Sequence, residues 1–175
     1  DILLRGGHLI DPKNDRDSIM ELAIKNGQIA AVGPALSGTA EKTVDVSGLY
    51  VVPGLLDIHL HVYGGFDAWL FPDPHCLPQG VTTCMDTGGA GYKDFEHFKD
   101  TVIASSKTRV LALLNIVGAG MIGPPEQDTT DMDPKKCAGM ISRYPEYLVG
   151  SKSAHFIGPG WESAGGAIEA ARISE

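Results

Sequence analysis

Residues 52–61 read Val-Pro-Gly-Leu-Leu-Asp-Ile-His-Leu-His, and this stretch decides how the chain is interpreted. Two histidines, His59 and His61, stand two residues apart, and Asp57 stands two residues before the first of them. Side chains at alternate positions of a β-strand point to the same face. If the stretch is a strand, we therefore expect all three side chains on one side. Two imidazoles at this spacing can bind one metal ion, and a carboxylate can orient one of them.

The surroundings of the two histidines leave two interpretations open. Apolar residues alternate with them, which predicts that the strand is buried. Buried imidazoles need partners for their ring nitrogens, and a metal ion is one such partner. A His-x-His pair also occurs as an ordinary pair of surface residues. The spacing alone does not decide between these alternatives.

Composition and charge narrow the class of protein. The chain has 175 residues, of which 43% are hydrophobic and 21% charged, as is typical of a soluble globular protein. Its formal net charge of -8 argues against nucleic acid as a partner, since such surfaces cluster Lys and Arg. No apolar run has the length of a membrane span, so we expect no membrane partner. Three unpaired cysteines (Cys76, Cys84 and Cys137) predict reduced thiols in a cytoplasmic protein.

The pattern of the chain changes near residue 52. Residues 1–52 contain short runs of strand character, and Asn26-Gly27 predicts a two-residue hairpin turn within a small antiparallel sheet. From residue 53 to 175, apolar strands alternate with helices. The predicted strands are Leu55 to Val62, Val81 to Asp86, Arg109 to Val117 and Tyr147 to Lys152, and the predicted helices are Lys93 to Ser106, Pro134 to Arg143 and Ser163 to Ile173. An irregular loop, with room for one short helix, is expected over residues 65–79.

Such alternation predicts an α/β fold with a parallel sheet and right-handed crossovers. An open doubly wound sheet and a (β/α) barrel both fit. A complete eight-stranded barrel takes about 250 residues, and residues 53–175 have room for about four βα units. If the fold is a barrel, residues 53–175 would therefore form only about half of it.

Four features in this order resemble the amidohydrolase superfamily of metal-dependent hydrolases. They are the small N-terminal sheet, residues 53–61, the run Gly80-Val81-Thr82-Thr83 and the run Val149-Gly150-Ser151-Lys152. The resemblance is greatest to the dihydroorotase-like branch, and within it to enzymes named deacetylases. It implies a TIM-like (β/α)8 barrel, represented by about its first four βα units over residues 53–175. Residues 1–52 would form the N-terminal part of a small β-sandwich.

The resemblance also implies a metal site. The site would hold one or two divalent metals, with zinc the expected metal. His59 and His61 would both ligate the same metal ion. Lys152 would be carboxylated by carbon dioxide and would bridge the metals, because an unmodified lysine is a cation with a pKa near 10.4. A solvated lysine at the end of a strand is the ordinary alternative. The general base and the remaining ligands would lie beyond Glu175, so the chain is expected to be a fragment or one half of a split enzyme.

The implied function is hydrolysis of an amide or ester bond in a small-molecule substrate, deacetylase-like, by a hydroxide held on the metal. His155, Asp86 and Asn115 are candidate substrate-binding residues. A loop role explains His155 equally well, and a capping or turn role explains Asp86 and Asn115 better. The alternatives are a cyclic amidohydrolase of the dihydroorotase or hydantoinase type, and a non-catalytic half-barrel. The expected partner is the remaining half of the barrel, from the same gene or a second chain, and a homo-oligomer stays possible.

Overall fold

The computed structural model describes residues 1–63 and 69–175. The chain divides into two compact units, Asp1–Pro53 and Gly54–Glu175. Within these described ranges, no helix is long and apolar enough to cross a membrane. The first part of the predicted loop over residues 65–79 lies outside the described residues, and its remainder carries a short helix.

The first unit is a five-stranded sheet with strand order β3-β2-β1-β4, in which β5 also pairs with β1. The strands are β1 Ile2–Asp11, β2 Arg16–Lys25, β3 Gln28–Gly33, β4 Lys42–Asp45 and β5 Tyr50–Val51. β1, β2 and β3 pair antiparallel, but β4 and β5 run parallel to β1. The prediction of a purely antiparallel sheet is therefore wrong. The connection over residues 34–41 carries the chain back to the start of β1, which a tight hairpin turn cannot do.

The turn between β2 and β3 confirms the predicted hairpin. Lys25 pairs with Gln28, so the loop contains only two residues. Asn26 and Gly27 have φ angles of 51° and 72°. Positive φ at both central positions is the geometry that favours Asn-Gly in hairpins, because it matches the twist of the flanking strands.

The second unit contains a parallel sheet with strand order β6-β7-β8-β9. Its strands are β6 Leu55–Leu60, β7 Val81–Gly91, β8 Arg109–Asn115 and β9 Leu148–Lys152. Its helices are α1 Pro72–Cys76, α2 Phe95–Phe98, α3 Pro134–Arg143 and α4 Glu162–Ser174. α2 continues as a π-helical turn over Lys99–Ile103, so the predicted helix of residues 93–106 is shorter than expected. The predicted alternation is confirmed, and the four βα units form a partial (β/α) barrel.

The helices cover one face of this sheet. Phe95 and Phe98 of α2 are fully buried and stand three residues apart, on one side of the helix. α3 begins at Pro134, and the Asp133 side chain accepts hydrogen bonds from two backbone N–H groups of its first turn. Asp133 and Pro134 thus explain where α3 begins, since a carboxylate satisfies the free N–H groups at a helix start and Pro is tolerated at the first position.

β6 is exposed, and the prediction that it is buried is wrong. Leu55, Leu56 and Ile58 are 52%, 57% and 62% exposed. β6 is the edge strand of the sheet and pairs with β7 alone among the strands of the described residues. A strand of a parallel sheet is buried only where neighbours flank it and both faces are covered. Apolar composition therefore predicts the strand correctly but not its exposure in this chain.

Substitution of Phe98 tests the helix-covered core. The Phe98 ring lies 4.7 Å from that of Tyr63 and 6.2 Å from that of Phe95, centroid to centroid. We expect Phe98→Ala to lower the free energy of unfolding by about 3–5 kcal/mol. Phe71→Ala, at a position 69% exposed, should change it by less than about 0.5 kcal/mol. Urea unfolding followed by tryptophan fluorescence measures both, since both tryptophans belong to the second unit. Equal losses in the two variants would contradict the assigned core.

Candidate metal centre

The carboxyl ends of the four parallel strands bring residues from distant parts of the sequence together. His59 and His61 come from the end of β6 and the residue just after it. Lys152 is the last residue of β9 and pairs with Asn115, the last residue of β8. In (β/α) barrels, this end of the sheet is where active sites are built.

The two histidines form an edge-to-face pair. Their ring centroids are 5.6 Å apart and their planes make an angle of 87°. Nδ1 of His61 is buried and has no hydrogen-bond partner among the described residues. Burial lowers the pKa of His61, and the nearby His59, Lys152 and His155 lower it further, while Glu126 opposes them. His61 therefore favours its neutral form, which is the form of imidazole that binds metals.

Asp57 does not share a face with the histidines, which corrects the sequence-based expectation. Asp57 pairs with Cys84 and Leu60 pairs with Asp86, so β6 has one residue more than β7 between these two pairs. Cys84 and Asp86 lie on the same face of β7, and paired residues point the same way. Asp57 and Leu60 therefore share that face, and His59, next to Leu60, points to the other. The Asp57 carboxylate instead accepts the backbone N–H of His59 at 3.0 Å.

The absence of a side chain at Gly88 makes room for Lys152. A Cβ atom on Gly88 would lie 2.7 Å from Cγ of Lys152, and the φ angle of Gly88 is +90°. The fully buried Asn115 fixes the same turn, because its Nδ2 donates to the Gly88 carbonyl at 3.1 Å. Its Oδ1 accepts the backbone N–H of Val117 at 3.1 Å. The side-chain contacts of Asn115 are thus to backbone, and its predicted contact with substrate stays a prediction.

Asp86 is fully buried at the same end of the sheet. Its Oδ2 accepts the backbone N–H groups of Val62 at 2.7 Å and Tyr63 at 3.2 Å, and its Oδ1 accepts that of Gly89 at 2.6 Å. Burial raises the pKa of Asp86, against the lowering effect of these bonds and of Lys152. The carboxylate ties the segment after the histidine pair to the end of β7. A role toward substrate stays a prediction for this residue.

His155 lies three residues after Lys152 and pairs with a buried carboxylate. Its Nδ1 is 3.1 Å from Oε2 of Glu126, and Glu126 is only 2% exposed. Sequence reasoning missed Glu126, because a glutamate in a Pro-Pro-Glu-Gln turn has the local pattern of an exposed residue. Only the folded chain brings the turn against the segment after β9.

The donor set for a metal is incomplete when only unmodified side chains are counted. In residues 1–63 and 69–175, no three His, Cys, Asp or Glu side chains lie together in a way that could hold a metal ion. The buried, unpartnered nitrogen of His61 fits a group bound at this point. Lys152 adds oxygen ligands only in a carboxylated form.

Gly88→Ala tests whether the space beside Lys152 is required. Because the added methyl group would contact the Lys152 stem and the backbone has positive φ, we expect a loss of about 1–3 kcal/mol in the free energy of unfolding. Gly139→Ala is the matched control, since a Cβ there meets no atom within 4 Å in helix α3. It should stabilise the protein by about 0.5–1 kcal/mol. Chemical denaturation measures both, and stabilisation by Gly88→Ala would contradict the assigned contact.

Similar proteins are found both by sequence and by fold. No protein-family model matches the chain. A deacetylase from Agrobacterium fabrum is 33% identical over 144 residues, which cover 78% of this chain and 35% of the relative. The crystal structure of a dihydroorotase superposes with a TM-score of 0.86 at 28% identity, and that of an adenine deaminase with a TM-score of 0.86 at 29% identity. Each superposition covers 99% of this chain and 48% of the other.

The chain thus spans about a third of the length of the deacetylase and about half of each matched structure. The deacetylase, the dihydroorotase and the adenine deaminase are all members of one superfamily. Sequence similarity, the superposed fold and the strand order of the parallel sheet lead to the same assignment. The chain belongs to the amidohydrolase superfamily.

Proposed function

We propose that this chain provides half of the barrel of a metal-dependent hydrolase that cleaves an amide or ester bond in a small molecule. The observation that carries this proposal is the environment of His61. Its buried Nδ1 lacks a partner within the described part of the chain, and His59 and Lys152 lie close by at the carboxyl ends of the strands. In barrel hydrolases the active site lies at the carboxyl ends of the strands, and a histidine that ligates a metal does so as a neutral imidazole.

His59, His61 and Lys152 are the residues that would hold the metal. A divalent ion such as zinc would supply an acidified water and would polarise the carbonyl group of the substrate. Burial lowers the pKa of His61, which favours the neutral form that ligates a metal. Lys152 would react through its neutral amine with carbon dioxide, and the carboxylated side chain would then offer two oxygens. Gly88 leaves the space in which the stem of that lysine lies.

The remaining half of the barrel, from the same gene or a second chain, would complete the site. The exposed apolar side chains of β6 support this part of the proposal, because a parallel edge strand with a half-exposed apolar surface lacks its normal covering. The matched structures, about twice as long as this chain, support it as well. The general base and further metal ligands would come from the added strands.

Two substrate classes are supported by different relatives. The deacetylase matched over 78% of the chain favours hydrolysis of a linear acyl amide or ester. The dihydroorotase structure, which superposes over 99% of the chain, favours a cyclic amide as the second candidate. Assays of the zinc-loaded complete barrel with N-acetyl amino acids, dihydroorotate and hydantoin distinguish the two. Turnover of the cyclic substrates alone would favour the second candidate, and turnover of none would contradict the proposed hydrolase and favour a non-catalytic protein.

Zinc binding tests the two histidines without any assay of activity. When zinc is titrated into the chain and followed by calorimetry, His59→Ala and His61→Ala should each weaken binding by about tenfold or more. His75→Ala is the control, because His75 stacks on Phe71 and should not affect zinc affinity. In the complete barrel, elemental analysis should give about one to two divalent metals per subunit. Unchanged affinity in either variant would remove that histidine from the ligand set.

The carboxylation of Lys152 has a separate test. After incubation of the complete barrel with ¹³C-labelled bicarbonate and zinc, ¹³C NMR should detect a carbamate signal that is absent from Lys152→Ala. That variant should lose hydrolase activity, and short carboxylic acids should restore part of it by supplying the missing oxygens. Lys135→Ala, at an exposed position of α3, should keep both the signal and the activity. A carbamate signal that survives in Lys152→Ala would exclude this lysine as its source.

A further inference from the structure

Glu126 is a buried carboxylate that the proposed function has not yet used. It lies in a 3-10 turn, Pro124–Gln127, and is 2% exposed. Its Oε1 accepts the backbone N–H of Gly123 at 3.1 Å, and its Oε2 is 3.1 Å from Nδ1 of His155. A buried carboxylate is costly unless it is paired and hydrogen-bonded. The imidazole of His155, whose side chain is 65% exposed, therefore provides a partner that Glu126 requires.

The next residue of the same turn holds the backbone around His155. The Gln127 side chain donates from Nε2 to the His155 carbonyl at 2.7 Å and accepts the backbone N–H of Ile157 at its Oε1 at 3.0 Å. His155 has a φ of 52°, a conformation that non-glycine residues adopt rarely and keep only where their surroundings enforce it. Glu126 thus fixes the ring of His155, and Gln127 fixes the backbone of His155.

The fixed histidine lies near residues of the candidate metal centre. His155 follows Lys152 by three residues, and it is close enough to His61 to contribute, with Lys152, to lowering the pKa of His61. Residues in strained conformations cluster at binding and catalytic sites, because the surrounding structure has to preserve them. The position and the double anchoring therefore favour a role toward a bound molecule over that of an ordinary loop residue.

We propose that the Pro124–Gln127 turn positions His155 to contact the substrate, with Glu126 accepting its Nδ1–H and Nε2 presented to a polar atom of the bound molecule. An ionised carboxylate only accepts hydrogen bonds, so the ring nitrogen facing it carries the proton. Nε2 is then an acceptor in the neutral ring and a donor in the charged ring. Glu126 is a positioning residue, since it acts through His155. The contact with substrate rests on the proposed function, but the geometry of the pair does not.

The tautomer of His155 tests the pair directly in this chain. ¹⁵N NMR at a pH where the ring is neutral should find the Nδ1–H form of His155 in about tenfold excess or more, as expected for a bond to a charged acceptor. Glu126→Gln should reduce that excess at least severalfold. Glu169→Gln makes the same chemical change at an exposed position of α4 and should leave the tautomer unchanged. A predominant Nε2–H form in the unmodified chain would overturn the proposal, whether or not the variants fold.

Kinetics of the zinc-loaded complete barrel test the contact with substrate. Glu126→Gln should raise KM by about tenfold while zinc content stays unchanged, because the ring loses its orientation and not a metal ligand. A shifted tautomer with unchanged KM would overturn the substrate role of His155. If the unmodified barrel hydrolyses nothing, the proposed function fails, and the NMR result alone decides whether Glu126 orients His155.

Discussion

Parallel pairing of β6, β7, β8 and β9 is the constraint on which the site depends. Because all four strands run in one direction, their carboxyl ends meet at one end of the sheet. The register then aligns Asn115 with Lys152 and Leu60 with Asp86. His61 follows β6 directly and therefore joins them. A shift of one residue in any of these pairings would exchange the faces to which the side chains of that strand point.

Features that depend on neighbours in the sequence were predictable. The Asn26-Gly27 turn follows from the φ angles that these two residues tolerate, and the start of α3 follows from Asp133 before Pro134. The alternation of strands and helices follows from apolar periodicity, and it was sufficient to predict the parallel sheet. The position of Lys152 at a strand end belongs to the same group, since β9 ends at that residue.

Features that depend on distant residues were not predictable. The extra residue between Asp57 and Leu60 reverses the face of Asp57, and nothing in the local sequence marks this bulge. The exposure of β6 depends on which strands flank it, which a pattern of apolar residues does not contain. Glu126 became visible only when the fold brought its turn to His155. In each case the deciding contact joins segments that are separated along the chain.

The burial of the cysteines has a practical consequence. Cys76, Cys84 and Cys137 are free and buried, and all three belong to the second unit. Burial raises the pKa of Cys84 and of Cys137 to about 12. Alkylating reagents attack the thiolate, which is almost absent from such thiols at neutral pH. Alkylation of Cys84 and Cys137 therefore requires the second unit to open transiently. The rate of alkylation measures that opening, without a contribution from the first unit.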